Sequence, residues 1–258
     1  MTATLSLPRA ARQTSRRPVR IRRWAWLALI PLAILLHRPV EVALRTSHIV
    51  GPLFHPIAAV GHPRDVAVLF LSGDAGFNRG SGPEIAHRLA QDGYPVLGID
   101  SLHFFAKRRN AAADGLLITT AARAALHWSG AHRFVVVGES FGADMTPTGV
   151  ERLPSALRAR LAAVTLLVPT RTVDFHISIG EWLNWTKPDA DAPTVARRIG
   201  SVPLTCISGA AESASLCPLL AMPTVTHVVL PGNHYLNHDY DRVAATIAAG
   251  IQRATAQP

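Results

Sequence analysis

The chain predicts an α/β fold with a mostly parallel sheet flanked by helices. Three observations carry this. Short apolar runs alternate with helical stretches through the body of the chain. One run, 134–137, turns sharply through Gly138-Glu139-Ser140-Phe141-Gly142 into a helical stretch. Two later runs end in loops that carry an acid, Glu212, and a histidine, His234. With 258 residues, 48% of them hydrophobic, the chain can bury the core of one such domain and still carry a leader.

The leader comes first. Residues 1–38 hold eight of the 26 Lys and Arg, and no acid precedes Glu41. This arginine-rich stretch runs into thirteen apolar residues, 24–36, the length of a signal-peptide core. It is short of the roughly 20 residues that span a bilayer. Positive charge ahead of the apolar run holds the N-terminus on the cytoplasmic side, so the body is expected to be exported. No strong cleavage site follows, and a removed signal and a tether through 24–36 stand equally. From residue 39 onward, 18 basic residues face 17 acidic ones. The formal charge of +9 therefore belongs to the leader, and the body offers no electrostatic case for nucleic acid. Residues 39–63 read as linker or edge strand, and 64–256 as the folded domain.

Within the domain, 66–71 is an apolar strand ending in the loop Ser72-Gly73-Asp74-Ala75-Gly76. Residues 84–92 set Ile85 and Leu89 at helical spacing, and Gly93 ends them. A strand covers 94–99. The alanine-rich 111–128 is a helix with Leu116, Leu117 and Ala121 on one face. After the strand 134–137, a helix runs from 141 toward 153. Further strands fall at 164–168, 203–208 and 226–230, and a closing helix at 241–253. Between the fourth and fifth strands lies 170–200, with Phe175, Trp182 and Trp185. An insert there reads as a lid or wall of a substrate pocket, or its tryptophans read as core anchors.

The pentapeptide is the chemical signal. Its glycines allow a turn tight enough to lift Ser140 above the sheet, where a base can take its proton; the plain alternative is an N-cap serine in an ordinary turn. An activated serine needs a base, an acid to orient that base, and donors for the oxyanion. Glu212 and His234 follow Ser140 on loops leaving late strands, which is the α/β-hydrolase order. The backbone N–H groups of Phe141 and Asp74 are the expected oxyanion donors. His238 is a rival base, read here as a neighbour of the last helix. His234, His238 and Asp239 lack a third histidine at ligand spacing, so neither metal nor cofactor is expected. Cys206 and Cys217, with ten residues between them, read as a disulfide holding the acid's loop, or as two buried thiols.

In this order the residues resemble a known family, the bacterial virulence protein VirJ and the matching domain of AcvB. The likeness runs through Leu71-Ser-Gly-Asp-Ala-Gly-Phe77, Gly98-Ile-Asp-Ser-Leu102 and Gly138-Glu-Ser-Phe-Gly-Ala-Asp144. It continues through Arg152-Leu-Pro154, Asp174-Phe175, Trp182, Cys206, Cys217-Pro218 and Pro231-Gly-Asn-His234. Ala75-Gly76-Phe77 stands where the family has Gly-Gly-Trp, and Glu139 stands where an aromatic is common. Glu151 replaces an asparagine, and His234-Tyr235 a doubled histidine.

The resemblance implies a periplasmic α/β hydrolase that cleaves the aminoacyl ester of lysyl-phosphatidylglycerol at a membrane surface. Ser140, His234 and Glu212 would form the triad. A lysyl headgroup carries two ammonium groups, and Asp74, Glu139, Asp144 and Asp174 lie near the expected strand ends, with Trp182 as pocket wall. Each carboxylate also has a plainer reading: Asp144 orients the nucleophile helix, and Glu139 is solvated. Two other functions stay open. One is a non-catalytic accessory to secretion-system components; the other is a general carboxylesterase or lipase.

Overall fold

A computed structural model describes residues 51–178, 185 and 187–256. The leader with its apolar stretch 24–36, and Trp182, lie outside the described residues. Seven strands form the main sheet in the order β1-β3-β2-β4-β5-β8-β9. They are β1 (Phe54–Ile57), β2 (Val66–Leu71), β3 (Val96–Ile99), β4 (Arg133–Glu139), β5 (Leu161–Leu167), β8 (Leu204–Gly209) and β9 (Val225–Leu230). Only β1 runs antiparallel, beside β3 in register Phe54 to Ile99. The other pairings are parallel. β1 lies in the stretch 39–63 and is the edge strand of the two readings that stretch allows.

All six residues of β2, Val-Ala-Val-Leu-Phe-Leu, are buried. Such a continuous apolar run fits a strand covered on both faces. Alternation splits it: Leu69 and Leu71 pack on one side with Leu97, Val136 and Leu166. Val68 and Phe70 pack on the other with Val96, Val135 and Val137. α3 (Ala111–Ser129), α4 (Phe141–Glu151) and α6 (Ala192–Arg197) cover the first face, through Ile118, Met145 and Ala196 among others. α1 (Gly82–Gln91) and α7 (Tyr240–Ala256) cover the second, through Ile85, Leu89, Ile247 and Ile251. Each fully buried aliphatic side chain of this kind stabilises the fold by roughly 1.5–3 kcal/mol.

Local signals set the helix ends. The Asn110 side chain accepts from the N–H of Ala113 at 2.9 Å, and Gly130 closes α3 at φ 73°. α1 carries Pro83 and Glu84 in its first turn and Arg88 in its last, charges that suit the helix dipole. Short helices α2 (Ser101–Phe105) and α5 (Ser155–Arg158) complete the set.

Three sequence readings shift. β5 starts at Leu161 rather than 164, because Ala162 and Ala163 are buried sheet residues whose small side chains carry little strand signal. Leu116 is 67% exposed and leaves the apolar face of α3, which runs through Leu117, Ile118 and Ala121 instead. The insert after β5 holds a two-stranded ribbon, β6 (Thr172–Val173) with β7 (Ala190–Asp191), followed by α6. Trp185 within it is 77% exposed, which removes the core-anchor reading for that side chain. Among the described residues no helix is long and apolar enough to cross a membrane.

Topology places the site. From β2 the chain adds β3 on one side, then crosses back to add β4 on the other. The loops leaving β2 and β4 therefore diverge at the carboxyl ends of adjacent strands, where α/β sheets bind ligands.

One buried group works against the fold. Asp114 of α3 is fully buried against Gly149 of α4, and neither carboxyl oxygen has a hydrogen-bond partner among the described residues. Burial pushes its pKa well above the usual 3.8, with Arg152 pulling the other way. The folded state therefore holds a proton that the unfolded chain releases above about pH 3.8. Stability from this group is complete below that pH and is lost as pH rises through the folded pKa, at up to about 1.4 kcal/mol per pH unit. Asp114→Asn removes the loss. Urea unfolding should find the variant more stable than wild type at pH 8, with the difference closing toward pH 4.

Candidate active site

β4 delivers its last residue, Glu139, to the carboxyl edge of the sheet, and Ser140 follows at φ 51°, ψ −119°. An L residue reaches that region only when its surroundings hold it there. Here the Ser140 N–H donates to Leu167 O at 2.9 Å, and the Ser140 carbonyl accepts from Ala143 and Asp144 in the first turn of α4. Gly142 allows the turn to close, since a Cβ there would lie 2.5 Å from the carbonyls of Leu71 and Ser72.

The other two predicted residues converge on this serine. Ser140 Oγ lies 2.9 Å from His234 Nε2, and His234 Nδ1 lies 2.7 Å from Glu212 Oε1. A carboxylate only accepts, so Nδ1 carries the ring proton and Nε2 is left to accept from the hydroxyl. The second oxygen of Glu212 accepts from Gly209 N–H at 3.2 Å. The Glu212 side chain is 9% exposed and that of His234 36%. Acid and base sit on loops stitched to each other: Ala210 N–H donates to Leu230 O at 2.8 Å, and Ala211 N–H to Gly232 O at 2.9 Å. Gly209 permits this approach, because a Cβ there would fall 2.3 Å from the Asn233 carbonyl. Cys206 in β8 and Cys217 beyond the acid's loop form a disulfide that closes that loop.

Backbone strain gathers here. The described non-glycine residues with positive φ are Ser140, Val168, Leu236, Asn237 and His238. All but Asn237 line one cavity of about 450 Å³ that also holds Asp74, Glu139 and His234. For β-branched Val168, at φ 47°, that conformation is a true outlier. Strain of this kind costs about 1–3 kcal/mol per residue and concentrates at functional sites. Nothing in the residue types of Val168 and Leu236 signals a left-handed backbone, so the sequence does not mark them as site residues.

A second cavity of about 430 Å³ meets the first at Ser140, Asp74 and His234. Asp144, Thr170, Arg171 and Asp174 line it. The guanidinium of Arg171 is engaged by the carbonyls of Ser213 and Ser215. Asp144 is buried and accepts from Thr170 N–H at 2.7 Å and Thr170 Oγ–H at 2.9 Å, so it ties α4 to the insert. Burial pushes its pKa well up, against those hydrogen bonds. Asp174 is half-buried, and burial, reinforced by Asp189, raises its pKa as well.

Glu139 is not a solvated residue. It is 8% exposed, accepts from Ser81 Oγ and from the Gly73 N–H, and is pushed up in pKa by burial against those bonds. His238 Nδ1 lies 2.9 Å from Tyr240 Oη, on the rim of the first cavity. Among the described residues no three His, Cys, Asp or Glu are grouped to hold a metal ion.

A parallel sheet carrying a strained serine after its central strand, with acid and histidine on two late loops, defines an α/β-hydrolase fold. The chain matches the family described as bacterial virulence protein (VirJ) over residues 65–255, and it belongs to that family. No curated protein matches it. Among solved structures it is similar to a proline iminopeptidase of Mycobacterium smegmatis, at 13% identity and TM-score 0.56, over 78% of this chain and 94% of that one. A putative dienelactone hydrolase of Klebsiella pneumoniae is 18% identical at TM-score 0.55, over 80% and 92% of the two chains. The esterase domain of a Rhodothermus marinus protein is 15% identical at TM-score 0.54, over 77% and 91%. At such identities the likeness is one of fold. Family and disulfide together fit an exported protein.

The bridge gives a direct test. In the loop-entropy picture, closing so short a loop stabilises the fold by about 3 kcal/mol. Cys206→Ala with Cys217→Ala should lower the urea-unfolding free energy by roughly 2–4 kcal/mol and speed amide exchange around Glu212.

Proposed function

We propose that the protein is a serine hydrolase acting on the aminoacyl ester of lysyl-phosphatidylglycerol, or of a related aminoacylated phospholipid, at a periplasmic membrane surface. The observation that carries this reading is the pair of contacts on His234, 2.9 Å to Ser140 Oγ and 2.7 Å to Glu212 Oε1. His234 takes the Ser140 proton as the hydroxyl oxygen attacks the aminoacyl carbonyl. The backbone N–H groups of Phe141 and Asp74 receive the negative charge that develops on the carbonyl oxygen. Collapse breaks the ester bond, and the leaving alkoxide of the lipid glycerol takes the proton back from His234. Water, deprotonated by the same imidazole, then attacks the acyl-serine and releases the amino acid. Glu212 holds the ring in the tautomer that both halves require.

Substrate charge supports the lipid class. A lysyl group brings two ammonium groups to one side of the ester, and Asp74 and Asp174 line the cavity beside Ser140. The other cavity, with Ile85, Leu167, Leu236 and Val243 in its lining, suits the apolar arm of a lipid.

Purified protein and lysyl-phosphatidylglycerol vesicles test this. Ser140→Ala should lower lysine release by on the order of 10⁴-fold or more. Full release by that variant overturns the mechanism, and faster cleavage of p-nitrophenyl esters than of the lipid points to a general carboxylesterase. Secretion restored in cells by the Ser140→Ala protein points to an accessory role instead. Asp174→Asn should raise KM for lysyl esters by roughly three- to tenfold, and leave an uncharged acyl ester unaffected.

A further inference from the structure

The loop between β2 and α1, residues 72–81, passes directly over the nucleophile turn. A Cβ built on Gly73 would lie 3.5 Å from Ser140 Cβ. Three ties fix this loop. At its start, Ser72 N–H donates to Ile99 O at 3.1 Å, and Ser72 Oγ accepts from Ser101 N–H at 3.1 Å. In its middle, Phe77 N–H donates to Asp100 Oδ2 at 3.2 Å, and the Phe77 ring covers Gly98. The third tie is Glu139, whose carboxylate accepts from Gly73 N–H at one end of the loop and from Ser81 Oγ at the other. Gly82, opening α1, leaves room for it: a Cβ there would lie 3.1 Å from Glu139 Oε2.

Peptide planarity carries this tie to the reacting atoms. Gly73 O accepts from Gly76 N–H and Ser72 Oγ–H, both at 3.2 Å. The N–H of Asp74 belongs to the same trans peptide and points opposite to that carbonyl. With the plane before Gly73 held by Glu139 and the plane after it held by Gly76 and Ser72, the direction of the Asp74 N–H is set.

We propose that Glu139 is a positioning residue that aims the oxyanion-binding N–H of Asp74 by clamping both ends of the 72–81 loop. This rests on the serine-nucleophile reading above. Substrate binding is a separate role that the same carboxylate would fill only by giving up Ser81 or Gly73. The two roles differ in what they change: a clamp acts on the transition state, whereas a binding carboxylate acts on affinity for the ground state.

The experiment compares wild type, Glu139→Ala, Glu139→Gln and Ser81→Ala by three measurements: ester turnover, affinity for an alkyl boronic acid, and amide exchange across 72–81. A clamp predicts a fall in kcat of roughly 10- to 100-fold for Glu139→Ala with KM changed less than threefold. It also predicts a parallel fall in boronate affinity and faster exchange in the loop. Glu139→Gln, which keeps one acceptor oxygen, should recover most of each, and Ser81→Ala should show a smaller loss of the same pattern. A loss confined to KM, or loop exchange and kcat both unchanged in Glu139→Ala, overturns the proposal. Labelling by a fluorophosphonate separates it from the underlying reading. Wild type unlabelled at Ser140 overturns the nucleophile and the clamp together, whereas wild type and Glu139→Ala labelled at equal rates overturn the clamp alone.

Discussion

The backbone of Ser140 is the constraint on which the rest of the site depends. At φ 51°, ψ −119° it occupies a conformation an isolated chain would leave, at a cost of about 1–3 kcal/mol. The structure holds it there from three sides. β5 supplies the Leu167 carbonyl, α4 accepts the turn at its first two backbone bonds, and β2 closes against Gly142. None of these is local in sequence except α4. The strain is therefore borne by the parallel core, whose buried aliphatic residues on both faces supply the stability to bear it.

Two buried carboxylates flank that serine and do related mechanical work. Glu139, one residue before it, binds the loop that follows β2. Asp144, four residues after it, binds Thr170 at the start of the insert. Each uses hydrogen bonds from the protein to offset the desolvation of a carboxyl group. Both cavities thus have one wall fastened to the Ser140 turn, and the serine lies where they meet.

Much of this arrangement was legible in the sequence, for a physical reason. Central parallel strands are buried on both faces, so β2, β4 and β8 stand out as apolar runs, and the edge strand β9 keeps enough of one, Val228-Val229-Leu230, to be placed. The loops that follow them carry side chains whose chemistry fits a proton relay. Ser140, Glu212 and His234 were therefore identifiable, although 94 residues separate serine and histidine. Contacts between side chains of ordinary type were not. Ser81 meets Glu139 across 58 residues and Thr170 meets Asp144 across 26, and neither spacing has a periodic signature. The ribbon β6–β7 is held by two residues on each strand, too short for alternation to register. Val168 looks like any strand residue, and its left-handed backbone falls where the chain leaves β5, one residue after the carbonyl that holds Ser140.

The bridge between Cys206 and Cys217 ties the segment that carries Glu212 to the sheet. One sulfur is anchored in the buried core of β8, and the other holds the far end of the segment that presents Glu212. While both sulfurs remain thiols, as in a reducing cytosol, that segment loses its covalent tie and keeps its hydrogen bonds, among them those from Arg171 to Ser213 O and Ser215 O. The placement of Glu212 is thereby coupled to the oxidation state of a sulfur pair that brackets it in sequence.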